Sequence, residues 1–183
     1  MVEAFCTGER TYLRWVEEGD AALLARWKGD PLVRRMATDL HAEFTPAGEE
    51  RDIRRALASD DQLYMVVVVQ AGDRPIGYVR LNWMDPTHRF GWLRFALGEQ
   101  RRQGYGREAV ECFVRRQFAD GAHRMEAEAY EFNEASRRLL LGLGFRQEGV
   151  KRQAIHDGER YRDIIVYGLL ADEFGNRFPA PGG

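Results

Sequence analysis

The chain has 183 residues, of which 44% are hydrophobic and 31% charged, which suits one compact domain with a sizeable core. Its net charge of -2 argues against a nucleic-acid partner, because such proteins usually carry a basic surplus. No apolar run approaches the roughly 18 residues of a membrane span. The first ten residues lack the pattern of a signal peptide. We therefore expect a cytoplasmic protein with no membrane partner and, with only two cysteines, no disulfide framework.

The N-terminal half predicts short helices followed by a meander of strands. Apolar periodicity and turn residues predict a strand at Thr11–Val16 and helices at Ala21–Lys28, from Asp30-Pro31 onward, and from Thr45 to about Ser59. Asp20 is the expected N-cap of the first of these helices. Strands rich in β-branched residues follow at Leu63–Gln70, Ile76–Trp83 and Phe90–Leu97.

The C-terminal half predicts alternating helices and strands. The expected elements are a helix ending near Gly121, a strand at Met125–Tyr130, a helix from Asn133 to Gly144, and strands at Phe145–Gln153 and Tyr161–Leu170. The segment from Gly175 onward is expected to be frayed. These elements together indicate an α+β domain with a mixed sheet and helices on its faces.

Residues 90–109, FGWLRFALGEQRRQGYGREA, join a strand to a helix through a basic, glycine-containing turn. The start of such a helix leaves backbone N–H groups unpaired, with the positive end of the helix dipole behind them. Arg101 and Arg102 add positive charge on the same approach. This stretch therefore predicts a site for the phosphate or pyrophosphate of a cofactor.

Two nucleotide-binding interpretations of this stretch are weaker. A phosphate-loop NTPase needs a lysine after the second glycine of its GxxxxGK[ST] pattern, whereas Arg107 follows here. The dinucleotide fingerprint G-x-G-x-x-A does match residues 104–109, with an acidic residue about 20 positions later. That fingerprint normally opens a doubly wound parallel sheet, and a hairpin meander in front of it argues against that fold.

Three motifs carry a resemblance to a known family. They are RRQGYG at 101–106, YEFNEAS at 130–136 followed by LGF at 143–145, and HDG at 156–158 with the strand after it. In this order they resemble the cofactor loop, second motif and C-terminal hairpin of the GNAT N-acetyltransferase superfamily, in its RimJ/RimL (ribosomal-protein N-acetyltransferase) branch. The resemblance spans about residues 10–172. It implies a single domain over residues 1–183, with a mixed, mostly antiparallel sheet that splays into a V for acyl-CoA.

The resemblance also implies acetyl-CoA as co-substrate and assigns residues to it. Backbone N–H groups of the loop would bind the diphosphate, and the end of the preceding strand would bind the pantetheine arm. The residues so implied are Phe95, Ala96, Leu97, Arg101, Arg102, Gln103, Gly104, Tyr105, Gly106 and Asn133. Asn133 fits an ordinary helix N-cap equally well. Because glycine permits close approach, Gly104→Val is expected to abolish cofactor binding with little loss of stability.

The implied reaction moves an acyl group from a thioester to an amine, which must first lose a proton. Many family members use a tyrosine as the acid and a glutamate as the base, but Leu140 and Trp92 stand at those positions here. The catalytic residues are therefore unknown from sequence. Substitutes could come from Asp163, Tyr161, His88, Glu43 or Asp39. Direct attack within one ternary complex needs no covalent nucleophile, and placement alone can supply much of the rate.

The acceptor side is predicted from aromatic residues. Trp92, Tyr161 and Asp163 are its candidate residues, and Trp83 and Phe95 could add an aromatic wall suited to a cationic or amphipathic amine. A protein N-terminus, an aminoglycoside and a polyamine all remain open as acceptors. His41, His123 and His156 lack metal-ligand spacing, so we expect no metal.

Two further interpretations stay open. The replaced acid and base favour a non-catalytic acyl-CoA-binding module, and a larger donor such as succinyl-CoA is compatible with the same motifs. Members of the RimJ/RimL branch often pair as homodimers, which makes a homodimer a further expectation.

Overall fold

The computed structural model describes residues 3–36, 43–85 and 89–178. These residues form a mixed sheet with helices on both faces. The strands of the described residues are β1 (Cys6–Thr7), β2 (Thr11–Trp15), β3 (Gln62–Val69), β4 (Arg74–Asp85), β5 (Phe90–Leu97), β6 (Arg124–Tyr130), β7 (Arg146–His156) and β8 (Tyr161–Leu170). The helices are α1 (Ala21–Gly29), α2 (Pro31–Met36), α3 (Pro46–Leu57), α4 (Tyr105–Ala119), α5 (Glu134–Gly142) and α6 (Ala171–Arg177).

The strands lie in the order β1-β2-β3-β4-β5-β6-β8-β7. Neighbouring strands are antiparallel at six of the seven junctions. The remaining junction, between β5 and β6, is parallel, because α4 carries the chain back across the sheet between them. The predicted α+β class with a mixed, mostly antiparallel sheet is confirmed.

Both faces of the central strands are buried, and this produces two hydrophobic clusters. On β3, Met65 and Val67 pack toward the cluster that contains α4 and α5, whereas Val66 and Val68 pack toward the cluster under α1 and α3. Successive side chains of a strand point to opposite faces, so a strand covered on both sides reads as one continuous apolar run. The run LYMVVVV in β3 has this origin.

The predicted elements are present with small shifts in their ends, and four features differ. β1 and α6 were not expected from the sequence. The predicted fraying from Gly175 is wrong for residues 175–177, which belong to α6. Asp20 does not cap α1 with its side chain; it accepts from Glu17 N (2.8 Å) and closes a 3-10 turn at Glu18–Asp20. None of the described helices is long and apolar enough to cross a membrane.

Cys6 and Cys112 are distant in sequence but meet where β1 packs on α4. Both are free thiols. Hydrogen bonding to Cys112, together with burial, raises the pKa of the Cys6 thiol. Phe5 packs beside them on Phe113 with ring centroids 5.9 Å apart, so side-chain packing on α4 adds to the backbone pairing of the short edge strand with β2.

Glu108, in the first turn of α4, joins that helix to the start of β2. Its carboxylate accepts hydrogen bonds from the backbone N–H groups of Arg10 (2.6 Å) and Thr11 (2.8 Å), from the Thr11 hydroxyl (2.9 Å) and from Arg10 Nε (3.0 Å). Partial burial opposes ionisation, but these hydrogen bonds outweigh it and lower the pKa of Glu108. The carboxylate therefore fixes the N-terminal end of α4 against the sheet.

We expect Glu108→Gln to lower the free energy of unfolding by about 1–3 kcal/mol at pH 7, because an amide cannot accept all four hydrogen bonds. The lowered pKa means that the stabilisation is complete above the unfolded-state pKa of glutamate and is lost as pH falls through the folded-state value. The difference between wild type and variant should therefore shrink below about pH 4 in urea unfolding.

Glu111→Gln is the matched control on the same helix, since the ion pair of Glu111 within the described residues is an i,i+4 pair with Arg115 at 3.2 Å. It should cost less than about 0.5 kcal/mol. Equal losses from Glu108→Gln and Glu111→Gln would contradict the proposed anchoring role.

Candidate active site

The site is organised by the point at which β5 and β6 part. Their parallel pairing runs from Phe90 opposite Arg124 to Leu93 opposite Ala127 and stops there. β5 nevertheless continues to Leu97, paired only with β4, and β6 continues to Tyr130, paired only with β8. The predicted V-shaped splay is confirmed. It leaves one backbone edge of residues 94–97 without a strand partner, which is where an extended ligand can add hydrogen bonds.

The start of α4 stands beside the open end of this splay. Gly104 precedes the helix with φ +86° and offers no side-chain cap. In the described chain, the first amide of this turn to find a backbone acceptor is that of Glu108, which donates to the Gly104 carbonyl (3.1 Å). The preceding amides are available to an anion, and the helix dipole favours negative charge there.

The two arginines of the loop are placed differently. Arg101 is turned back onto the protein: its Nε donates to the Leu97 carbonyl (2.9 Å) and its Nη2 to the Gly98 carbonyl (2.9 Å). Nη2 also lies 3.3 Å from the Asp30 carboxylate. Arg101 thus fastens the turn, and Arg102, exposed and at φ +63°, is the loop arginine left on the surface.

The remaining loop residues support the same turn. The Gln103 carbonyl accepts from Arg10 (3.1 Å), and the Arg10 guanidinium lies 4.7 Å from the centre of the Tyr105 ring. A Cβ at Gly106 would approach Leu97 Cδ1 to 3.3 Å, so the glycine lets the helix start pack closely on β5. A binding role for residues 95–97 and 101–106 remains a prediction.

A cavity of about 110 Å³ opens on the other side of the splay, on the face of the sheet covered by α1, α2 and α3. It is lined, among the described residues, by Lys28, Val33, Met36, Phe44, Tyr78, Arg80, Trp92, Leu93, Arg94, Phe95, Glu128, Asn133 and Ser136. Leu93 is the last residue of β5 that pairs with β6, so the cavity lies over the point at which the two strands part.

Two ion pairs, one buried and one partly buried, support the cavity wall. Lys28 Nζ lies 2.8 Å from the Glu49 carboxylate, and Arg80 Nη1 lies 2.5 Å from the Asp52 carboxylate. Arg80 Nη2 also donates a hydrogen bond to Gln62 Oε1 (2.5 Å). Burial lowers the pKa of Lys28, which Glu49 partly offsets. Burial alone would raise the pKa of Asp52, but the Arg80 guanidinium lowers it. These charges compensate one another.

Arg94 and Glu128 occupy opposite lips of the splay. Each is the first residue beyond the last pair, Leu93 with Ala127, and each lies on the sheet face that carries the cavity. Glu128 is ion-paired with Lys151, and its side chain is only 11% exposed. No ion pair joins Arg94 to Glu128 among the described residues. Sequence reasoning missed both residues, because only the end of the β5–β6 pairing brings them together.

Of the acceptor residues predicted from sequence, Trp92 and Phe95 line the cavity. Tyr161 and Asp163 do not: Tyr161 is 63% exposed beside His156, and Asp163 accepts a hydrogen bond from Gln153 N (2.7 Å). Trp83 packs against the larger hydrophobic cluster instead of lining the cavity.

Asn133 combines a cap with a contact across the cavity. Its Oδ1 accepts from Ser136 N (3.2 Å), which caps α5, and its Nδ2 donates to the Met36 carbonyl (3.0 Å) at the end of α2. The N-cap interpretation is therefore confirmed, while a contact to pantetheine stays a prediction.

The residues at the family's usual acid and base positions cannot exchange protons. Leu140 is fully buried in the core, and Trp92 presents an indole to the cavity. Among the substitutes, Glu43 is exposed, and Asp39 and His88 lie outside the described residues, as does His41. Within the described ranges, no group of three or more His, Cys, Asp or Glu residues could hold a metal ion.

Comparison with known proteins identifies the family of the chain. The family model of the GNAT acetyltransferase domain matches residues 10–146. The chain is 25% identical over 176 residues to the SPbeta prophage-derived uncharacterized N-acetyltransferase YokL of Bacillus subtilis (strain 168), covering 95% of this chain and 97% of that protein. It is 27% identical over 172 residues to the uncharacterized N-acetyltransferase p20 of Bacillus licheniformis, covering 91% and 96%.

Solved structures share the fold at low identity. RimL, a ribosomal L7/L12 alpha-N-protein acetyltransferase in complex with coenzyme A, superposes with a TM-score of 0.83 and 16% identity over 93% of this chain and 99% of that one. A spermidine N-acetyltransferase SpeG chimera from Vibrio cholerae and hSSAT superposes with a TM-score of 0.83 and 18% identity, over 92% and 100%. With its splayed β5 and β6 and the family match over residues 10–146, the chain belongs to the GNAT acetyltransferase family.

Proposed function

We propose that this N-acetyltransferase moves an acetyl group from acetyl-CoA to a primary amine by direct attack in a ternary complex. The observation that carries the proposal is the splay, which opens between an uncapped helix start on one side and a polar cavity on the other. A thioester laid along the unpaired edge of β5 would present its carbonyl carbon to that cavity. Neighbouring structures bear names for both protein and polyamine acceptors, so the acceptor class stays open at this level.

The residues present fit coenzyme A. Its diphosphate matches the free amides before Glu108, and its pantetheine arm offers the amide groups that an unpaired strand edge can bind. Arg101 would act by holding the turn through Leu97 and Gly98, and Arg102 by its exposed charge. The structure of RimL in complex with coenzyme A supports this assignment.

The reaction requires the protein to hold the amine next to the thioester and to provide one group that accepts the proton of the ammonium ion. Glu128 lines the cavity at the lip of the splay, and we assign it the proton that the ammonium group loses before attack, directly or through a water. A backbone N–H on the unpaired edge of β5 would stabilise the charge that develops on the carbonyl oxygen. With Leu140 in the core, the leaving thiolate would take its proton from solvent.

Gly104→Asn should weaken acetyl-CoA binding by about tenfold or more, equivalent to about 1.4 kcal/mol, because a Cβ here lies 3.0 Å from Arg10 Nη2 and the added side chain crowds the turn that Arg10 holds through the Gln103 carbonyl. Asparagine tolerates the left-handed conformation. The expectation that Gly104→Val would spare stability is wrong, since a β-branched residue is strained at φ +86°. Isothermal titration with acetyl-CoA measures the effect.

Gly121→Asn is the control, because Gly121 ends the same helix at φ +93°. It repeats the conformational cost at the other end of α4 and should leave acetyl-CoA affinity unchanged. If Gly104→Asn binds as tightly as Gly121→Asn, the diphosphate does not lie at this helix start.

Glu128→Gln should lower kcat by about 10²–10⁴-fold at neutral pH with little change in KM for acetyl-CoA, since it removes the proton acceptor and keeps the shape. Glu126→Gln is the matched control: Glu126 lies two residues earlier on the same face of β6, in register with Trp92, and does not line the cavity. Equal activity in the two variants would remove Glu128 from the mechanism.

A non-catalytic acyl-CoA-binding module is the alternative, favoured by the burial of Leu140 in the core and by the indole at position 92. Release of free CoA that depends on an amine, across a panel of peptides, polyamines and aminoglycosides, would exclude it. Running the panel with acetyl-CoA and succinyl-CoA also identifies the donor. Tight acetyl-CoA binding without release for any amine would favour the module over the enzyme.

A further inference from the structure

The charged residues that line the cavity are not equally compensated. Lys28 is paired with Glu49, Arg80 with Asp52, and Glu128 with Lys151. Arg94 makes no ion pair within the described part of the chain. Its Nη2 donates to the neutral Asn82 side chain, and its Nε is buried without a hydrogen-bond partner.

Partial burial of a guanidinium that has no ion-pair partner in the described part of the chain costs free energy of folding. Arginine remains protonated in proteins, so Arg94 cannot avoid the cost by losing its charge. Burial, and then the nearby charge of Arg80, lower the pKa of Arg94, which shows that its surroundings disfavour the cation. Since a buried charge is normally paired, an anion that enters the cavity would supply the missing partner.

Trp92 adds a second unused donor to the same wall. Its Nε1 is buried and has no hydrogen-bond partner, and the Arg94 guanidinium lies 4.7 Å from the centre of its ring. Both side chains line the cavity and project from the same face of β5. An indole N–H and a guanidinium can only donate, so this wall is complementary to a group that only accepts, as a carboxylate does.

We infer that the acceptor carries a carboxylate near its amine, and that Arg94 and Trp92 bind this carboxylate while Glu128 faces the amine. The inference rests on the proposed function and names the acceptor class for it: an amino acid or a compound with the same two groups. Arg94 and Glu128 are the first residues on either side of the opening between β5 and β6. The Arg94 cation would therefore meet the carboxylate of the ligand, and the Glu128 carboxylate would meet its amine. The purely cationic amine suggested by the aromatic residues leaves Arg94 without a partner.

Matched bisubstrate compounds test the inference without knowledge of the natural acceptor. In each, coenzyme A is joined through S–CH2–CO to the nitrogen of glycine, β-alanine or γ-aminobutyrate, which place the carboxylate one, two or three carbons from the nitrogen. Each compound is compared with its carboxamide by isothermal titration against the full chain. In wild type we expect at least one carboxylate to bind tenfold or more tightly than its carboxamide.

Arg94→Gln should abolish that preference while leaving the affinity for acetyl-CoA unchanged. Arg94→Lys should restore part of it, because lysine keeps the charge and loses the planar fork. Trp92→Phe keeps an aromatic ring without the N–H and should reduce the preference severalfold. A merely structural role for Arg94 would lower the affinities for acid, amide and acetyl-CoA together.

The inference is overturned if every acid and amide pair binds wild type equally, or if the preference survives in Arg94→Gln. In those outcomes acetyl-CoA still binds, and the proposed function stands with another acceptor class. Failure of acetyl-CoA itself to bind would overturn the proposed function and this inference with it.

Discussion

The parallel pairing between β5 and β6, and its end at Leu93 and Ala127, is the constraint on which the rest of the site depends. Each strand keeps its antiparallel neighbour, so the sheet can open at this one junction without either strand losing its place. The opening exposes a backbone edge on β5. It also sets the first residues beyond it, Arg94 and Glu128, on opposite lips above the cavity.

The turn between β5 and α4 must be held at a fixed position relative to the end of β5 if both are to bind one ligand. Arg101 does this by donating to the carbonyls of Leu97 and Gly98. Trp27 covers the same turn so closely that a Cβ at Gly98 would lie 2.1 Å from its ring, and its Nε1 donates to Glu99 (3.2 Å). The helix α1 that lines the cavity therefore also supports the turn before α4, and the two parts of the candidate site share one helix.

The polar side chains that line the cavity fall into two groups: charged side chains with an ion-pair partner, and donors without a hydrogen-bond partner among the described residues. Lys28 and Arg80 have carboxylate partners in Glu49 and Asp52. Arg94 and Trp92 retain unused donors, and polar groups left unsatisfied in a folded protein are characteristic of binding sites. Stability alone does not account for this arrangement. Glu128, which lines the same cavity and is paired with Lys151, is the proton acceptor that we propose, since Leu140 and Trp92 cannot take that role.

The sequence by itself determined most strands, most helices and the glycine-containing turn before α4, because these depend on local periodicity, turn residues and motifs such as RRQGYG. It could not reveal β1 or α6, which are short and depend on packing against α4 and β8. Nor could it separate Arg101, turned inward, from Arg102 beside it, or indicate that Tyr161 lies away from the cavity. Only the tertiary structure decided where β5 and β6 part, and hence that Arg94 and Glu128, 34 residues apart in the chain, line one cavity from opposite sides of the opening. Pairing between distant strands is a non-local property, and no local pattern in either strand marks the residue at which it stops.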